Sequence, residues 1–356
     1  MEITPEIGSP RSGTLMLHLL GQCNLTCRHC YMDGSPVRRE QLPLERVMEA
    51  VGSAAALDIG TLYLTGGEPL LYPGLHQVLE TAARVPGLEV TVCTNATLMT
   101  PRHVEALRAA KAKVSISVDG EAEFHDWFRN SEGAFQATEK GILLLAEAGV
   151  PITVIATVSR ANVEALPGLV DWAHRAGATQ VRAQPLLRLG RALDIVDQSL
   201  SQMQLERLVM RLSDLANLYR GKGLRISIIG QNRAFLMQHP CGAYVCNGGG
   251  CHRKVAQEIK KVVVREDGTV LPEATNLDRS YAIGHFDDGS LVEMVQQYFE
   301  NGGYAAFDRL CRAAYHEVLP LWKCIVVPWD QIIAERSRAH PAGTAPECAG
   351  AVMCSA

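Results

Sequence analysis

The stretch Leu15–Tyr31 reads LMLHLLGQCNLTCRHCY. An apolar run of strand length ends at Leu20, and three cysteines follow at positions 23, 27 and 30. Thiolates at four- and three-residue intervals can wrap one corner of a cubane iron–sulfur cluster. Three irons then take protein ligands and the fourth stays open to an exogenous ligand, unlike four-cysteine clusters that only carry electrons. A structural zinc site is the alternative reading. Zinc cysteines usually come as two-residue-gap pairs with a second matching pair, and no such pair accompanies this triplet.

Outward from this stretch, short β-branched runs alternate with helix-like segments. The pattern predicts strands at Leu15–Leu20, Thr61–Thr65, Glu89–Thr94, Lys113–Val118, Ile152–Thr157 and Gln180–Pro185. Helices are expected at Leu44–Ala56, Leu75–Arg84, Pro101–Ala110, Ala134–Ala148 and Val163–Ala176. Gly149 and Gly177 stand where helix C-caps would need them. Strand–helix alternation of this kind implies a parallel sheet with right-handed crossovers. Six units fit before residue 190, so the expected fold class is α/β, an open, partial (β/α)6 barrel. The chain divides on this reading into an arm (1–13), the barrel (14–192), a helical connection (193–239), a small α+β module (240–335) and a flexible tail (336–356). A late strand is expected at Leu224–Ile229. A hairpin is expected from Lys260–Arg265 and Val270–Leu271 around the turn Glu266-Asp267-Gly268.

The composition suits a folded domain: 356 residues, 47% apolar and 20% charged, with a net charge of −4. No basic run is interleaved with aromatics, so no nucleic-acid partner is expected. The first residues lack the basic and apolar regions of a signal peptide, and no apolar stretch is long enough for a bilayer. A cytoplasmic location follows as an expectation. In a reducing compartment the 11 cysteines are read first as metal ligands or reactive thiols.

With TGGEP at Thr65–Pro69 one β/α unit after CxxxCxxC, the chain resembles the radical S-adenosylmethionine (SAM) enzymes. That resemblance implies one [4Fe–4S] cluster on Cys23, Cys27 and Cys30. It also implies SAM on the open iron, cleaved to a 5′-deoxyadenosyl radical that takes a hydrogen atom from substrate. His29 and Tyr31 flank the last cysteine. Gly66, Gly67, Glu68 and Pro69 form the family's GGE motif, with Glu68 as partner for the SAM ammonium. Thr94 and Asn95 end the third strand. Ser117 and Asp119 resemble a ribose-binding pair; the plain alternative for Asp119 is a solvated turn. HDWFRNSEGAF at His125–Phe135 resembles the HDxxR stretch of the subgroup with C-terminal auxiliary clusters. This makes Arg129 the candidate for the SAM carboxylate, against a surface ion pair, and Asn162 a candidate at the adenosine end. All of these fall at C-terminal strand ends, the rim where β/α barrels build active sites.

CNGGGCHRK followed by REDGTVLPE resembles the start of a SPASM or twitch module. Five residues after the turn glycine Gly268, however, stands Glu273 where that module has cysteine. The scaffold is read as retained with a depleted ligand set. Cys246, Cys251, Cys311 and Cys324 are left as auxiliary ligands or hydrogen donors, and Glu273 as a ligand or substrate contact. Cys93 reads as core filler.

For the substrate, Arg182 and Gln184 share one strand face, with Arg188 and Arg191 beyond it. These suit an acidic or polyhydroxylated small molecule, or else pair with acids of the barrel. The 22 residues before Cys23 leave little room for a peptide-docking domain. The overall layout resembles cytosylglucuronate decarboxylase-type antibiotic enzymes, which implies radical decarboxylation of an anionic sugar or nucleoside. An external one-electron reductant such as flavodoxin or ferredoxin is implied as well. A peptide maturase of the same chemistry, an epimerase or dehydrogenase, and a non-catalytic iron–sulfur protein remain as alternatives.

Overall fold

Alternation along each strand builds two unlike faces. A computed structural model describes residues 13–238, 243 and 259–342. In it β1 (Gly13–His18), β2 (Ile59–Thr65), β3 (Glu89–Thr94), β4 (Lys113–Ser117), β5 (Ile152–Val158) and β6 (Gln180–Pro185) pair in sequence order, all parallel. Lateral partners in a parallel sheet share a face. On one face Leu17 stands beside Leu64, Leu62 beside Val90, Val92 beside Val114 and Ile116 beside Val154, all essentially inaccessible. On the other, Met16 stands beside Tyr63, Tyr63 beside Thr91, Cys93 beside Ser115, and Thr157 beside Gln184. This second, polar face lines the inside of the curved sheet.

The helices cover the apolar face. They are α1 (Leu44–Gly52), α2 (Leu75–Ala83), α3 (Pro101–Ala109), α5 (Ala134–Glu147) and α6 (Leu166–Arg175), while α4 (Ala122–Arg129) buries Phe128 in a separate cluster with Leu186 and Ala192. Val47, Val78, Leu107, Ile142 and Val170 reach from them into the same core as the strand leucines and valines. Complete burial of one such leucine, Leu107, contributes roughly 1.5–3 kcal/mol. The start of α3 follows from its sequence: the Thr100 hydroxyl accepts from His103 N at 3.3 Å, and Pro101 occupies the first turn, where its missing N–H is not needed. Gly149 (φ 68°) and Gly177 (φ 88°) take up the left-handed conformation just past α5 and α6.

The sheet is wider than six strands. β7 (Arg225–Ile228) adds in parallel beyond β6, and β9 (Lys261–Val264) adds in parallel to β1 on the opposite edge. β10 (Thr269–Pro272) and β11 (Gly284–His285) follow antiparallel, giving the order β11-β10-β9-β1-β2-β3-β4-β5-β6-β7. β7 and β9 do not pair, so the barrel stays open. β7 falls within the late strand expected at Leu224–Ile229 and follows α7 (Gln202–Leu218), whose start carries a capping box of Ser201 and Gln204.

A short pair, β8 (Gln231–Asn232) with β12 (Val326–Val327), lies apart from this sheet. Around it stand α8 (Arg233–Gln238), α9 (Leu291–Glu300), α10 (Gly303–Val318) and α11 (Trp329–Ala339). The flexible tail expected from residue 336 begins too early. α11 runs through Ala339, and the buried Ser337 hydroxyl accepts from Asp278 N at 2.8 Å. Among the described residues no helix is long and apolar enough to cross a membrane.

Candidate active site

Cys23, Cys27 and Cys30 lie on the loop after β1, gathered around the buried Leu25. Several segments hold this loop. Cys23 N donates to Ser35 O (3.1 Å), Arg28 N to Phe128 O (3.0 Å), and His29 stacks on Phe128 at 4.0 Å. Burial pushes the Cys23 thiol up to about 12. It raises Cys27 as well, against the opposing pull of the Arg129 guanidinium. Burial also holds the His29 imidazole down at about 3 and raises the Tyr31 phenol, so both are neutral at ordinary pH.

The TGGEP loop packs directly against this one. Gly67 N donates to Leu20 O (2.7 Å) and Glu68 N to Gln22 O (2.9 Å). A side chain on Gly67 would meet Gln22 O at 2.0 Å, and one on Gly66 (φ 139°) would meet Leu20 O at 2.6 Å. Both glycines are thus needed for close approach.

Glu68 also has a structural task. Its carboxylate is completely buried and accepts from Leu70 N (3.1 Å), the Thr94 hydroxyl (2.5 Å) and Asn95 N (2.8 Å). It ties the end of β2 to the end of β3, and Pro69 follows it into a tight turn. Thr94 and Asn95 are consumed in the same network, Asn95 through Thr97 and the Asn24 side chain. The carboxylate expected to meet a SAM ammonium thus has three protein donors of its own. The backbone of this loop is the part that borders the cysteines.

Asp119, Arg129 and Asn162 likewise close on one another. Arg129 Nε donates to Asp119 Oδ2 at 2.7 Å, and Arg129 Nη1 lies 3.8 Å from Cys27 Sγ. Asp119 Oδ1 accepts from Thr157 N (2.9 Å), while Asn162 Nδ2 donates to Asp119 O (2.7 Å) and Thr157 O (2.8 Å). Burial would raise the Asp119 carboxyl, but the Arg129 guanidinium together with His29 and His125 holds it below the usual range. Asp119, Arg129 and Asn162, expected as ribose acceptor, SAM-carboxylate clamp and adenosine contact, thus stand together in one buried network beside Cys27. Ser117, by contrast, stands partly accessible on the lumen face, in register with Ile155.

Of the arginines expected to hold substrate, Arg191 belongs to the cysteine loop. Its Nε donates to Cys27 O (2.8 Å) and its Nη2 to Gly34 O (2.8 Å). Its backbone N meets Cys30 O (3.0 Å) and Asp33 Oδ1 (2.8 Å). Arg182 and Gln184 do share the lumen face, in register with Ile155 and Thr157. Cys93 is on that face too, its thiol pushed up to about 12 by burial against the lowering pull of Arg182, so it is not simple core filler. Arg188 is half exposed and 3.6 Å from Glu335. It borders a cavity of about 410 Å³ between the cysteine loop, the segment after β6 and the β9–β10 turn.

In the C-terminal module Glu273 (φ 60°) accepts from Lys260 N (2.7 Å) and Lys261 N (3.2 Å), anchoring the start of β9. Cys311 is buried in α10, where it feels the charge of Glu273, whereas the buried Cys324 feels that of Glu206. Cys246 and Cys251 lie outside the described residues. Sequence reading missed His18, Arg38 and Glu266. The REDG turn was the one available signal for Glu266.

The triplet fits a cubane better than a single ion. Among the described residues no three His, Cys, Asp or Glu side chains converge on one ion's site. Thiolates on separate irons of a cubane stand further apart than that. Gly34 completes the cradle, since a side chain there would come within 3.3 Å of both Cys23 Cβ and Gly67 Cα. The Cys23 and Cys27 thiols, pushed up by burial, need a cationic partner to ionise, and iron would supply one.

Residues 18–173 match the family model of the radical SAM superfamily. These residues resemble a radical SAM domain. Such domains use a [4Fe–4S] cluster and SAM. The chain is 36% identical over 176 residues to an AdoMet-dependent heme synthase of Methanosarcina barkeri, covering 49% of this chain and 50% of that one. It is 30% identical over 209 residues to the sporulation killing factor maturation protein SkfB of Bacillus subtilis, covering 57% and 51%. The chain thus spans about half the length of the curated relatives it matches. In fold it is similar to Streptococcus suis SuiB in complex with the precursor peptide SuiA, with a TM-score of 0.66 at 16% identity over 83% of this chain and 67% of that one. It is also similar to anSMEcpe with bound AdoMet and a peptide, with a TM-score of 0.63 at 17% identity over 93% and 98%. These structures support the mixed α/β fold with its mostly parallel sheet.

Proposed function

We propose that the chain is a radical SAM enzyme acting on a small anionic sugar or nucleoside at the barrel mouth, with decarboxylation as its reaction. The observation that carries the radical chemistry is the interlock of the cysteine loop with the glycine loop after β2. It gathers Cys23, Cys27 and Cys30 on one loop and packs the backbone of Gly67 and Glu68 against that loop. When bound, the cluster and SAM supply the 5′-deoxyadenosyl radical that removes a hydrogen atom from substrate. Cys23, Cys27 and Cys30 hold the cluster, and Arg191 and Arg129 fix the loop around it. The apolar stack of His29, Phe128 and Trp127 keeps water from that side. An external one-electron donor of the flavodoxin or ferredoxin type supplies the electron, and a reducing cytoplasm suits the free thiols.

For the substrate, the guanidiniums of Arg188, Arg265 and Arg338 border the mouth cavity, and such forks suit a carboxylate. A second reading, peptide maturation, is favoured by the likeness to the Bacillus maturation protein. One experiment addresses both levels. After anaerobic reconstitution we expect about four irons per chain, as one [4Fe–4S] cluster requires, and reductant-dependent 5′-deoxyadenosine. Replacing Cys23, Cys27 and Cys30 with alanine should remove essentially all of both. Iron surviving that change would reveal an auxiliary cluster, and surviving 5′-deoxyadenosine would refute the assignment. Product masses then divide the reactions: loss of CO₂ supports decarboxylation, while loss of two hydrogens, or turnover only on a peptide, refutes it.

A further inference from the structure

The mouth cavity of about 410 Å³ admits a small molecule, not a protein that carries electrons. An electron from a protein donor therefore enters through the wall beside the cysteine loop. Arg28 is the exposed residue between Cys27 and Cys30. Its guanidinium lies over the indole of Trp127, 5.2 Å from the ring centre, and that side chain is 44% exposed. Behind it the buried ring of Phe128 is nearly parallel to the indole, at 11° and 5.9 Å, and stacks on His29 at 4.0 Å. His29 is the residue before Cys30. Three rings thus run in sequence from the surface to the cysteine loop. The bond from Arg28 N to Phe128 O (3.0 Å) fastens the two segments together.

The outer end of this stack carries the marks of a docking surface. Arg28 Nε donates to Trp127 O (3.0 Å) and Nη2 to Asn130 Oδ1 at a long 3.4 Å, and among the described residues the guanidinium faces no carboxylate. Exposed tryptophan beside arginine is the pairing that dominates binding at protein interfaces, and the free charge favours an acidic partner. The patch is small, as suits electron-transfer encounters, which bury the least area of all specific complexes. A planar flavin at the partner's surface can make an aromatic contact with the indole. An iron–sulfur donor has no ring to offer it.

We propose that Trp127 and Arg28 form the docking surface for an acidic flavoprotein of the flavodoxin type, whose electron tunnels through Trp127, Phe128 and His29 to the cluster. One electron leaves the anionic reduced flavin, which keeps its proton, and enters the oxidised cluster; no bond forms or breaks. The proposal rests on the radical SAM reading above and adds where the donor of that reading binds.

The test has two readouts on the anaerobically reconstituted chain. Binding of oxidised flavodoxin is measured by calorimetry at low ionic strength. Formation of 5′-deoxyadenosine is driven in parallel by reduced flavodoxin and by dithionite, and the ratio of the two rates is taken. Arg28→Glu should weaken flavodoxin binding about ten-fold, and Glu123→Lys, one turn earlier on α4, should tighten it. Trp127→Leu should lower the rate ratio at saturating flavodoxin several-fold, and Trp127→Phe should restore it. Unchanged binding in both charge variants, no detectable binding by the unmodified chain, or rates that fall in parallel in Trp127→Leu would overturn the proposal. Turnover with reduced ferredoxin but not with reduced flavodoxin would overturn it as well. Absence of 5′-deoxyadenosine from the unmodified protein under dithionite would refute the radical SAM activity, while the binding measurements would still decide where flavodoxin docks.

Discussion

Replacing Glu68 with alanine separates two accounts of the GGE motif. The carboxylate accepts from Leu70 N, Asn95 N and the Thr94 hydroxyl, all buried. Alanine leaves two backbone N–H groups without an acceptor, and each such loss costs about 1–3 kcal/mol. The Thr94 hydroxyl can turn, and removing a buried carboxylate returns part of its desolvation penalty. The expected loss is then about 2–5 kcal/mol, a large share of the roughly 5–15 kcal/mol that holds a typical domain together. Urea unfolding of the cluster-free protein, followed by far-UV circular dichroism, reads this directly, because neither iron nor SAM is present. A change within about 0.5 kcal/mol, the range of an ordinary surface substitution, combined with weakened SAM binding to the reconstituted protein, would refute the reasoning. The carboxylate would then be facing the cofactor, as the motif alone suggests.

Two further outcomes are expected. Arg191→Ala removes two charge-assisted hydrogen bonds to Cys27 O and Gly34 O, so iron should leave the reconstituted protein faster under a chelator; lysine should not restore it, because one ammonium cannot reproduce the fork. Chelator kinetics identical to those of the unmodified protein would exclude the clamp. Burial holds His18 at about 4, below its ordinary 6.5, with Glu266 raising it and Arg265 and Lys261 lowering it. The folded state thus refuses a proton that the unfolded chain accepts. Stability from this group is complete above pH 6.5 and is lost as pH falls toward 4, by up to about 3 kcal/mol. In His18→Gln the urea midpoint should fall less steeply between pH 7 and pH 5, and an unchanged slope would rule His18 out.

Much of the barrel was legible because each strand alternates. Glu89–Thr94 and Gln180–Pro185 coincide with their expected bounds, since valines and alanines on one face and threonine, cysteine or arginine on the other mark a sheet between helices and a lumen. The helices ended one to four residues short of the apolar periodicity, as at Gly52 and Ala83, where the last turn relaxes. α4 went unread because its residues were taken for a motif. Pairing of β9 with β1 could not be read, since nothing local in Lys261–Val264 names a partner nearly 250 residues away. At the site the residues were legible and their partners were not. Glu68, Asp119, Arg129 and Asn162 carry the right chemistry for a cofactor, yet each is spent on a neighbour. A buried acid and a buried arginine ten positions apart on one rim are enough to anticipate that pairing.

The pairing of β9 with β1 also has a consequence for biogenesis. β1 is an interior strand only after the chain has been synthesised through Val264. Until then one side of the strand that leads into Cys23 offers its unpaired peptide groups to any neighbouring chain, the standing hazard of an open edge. Closure at such long range is also slow. A ribosome-bound chain released at the end of β7 should therefore aggregate through β1, and iron loading of the cysteine loop should lag behind emergence of the β9–β10 hairpin.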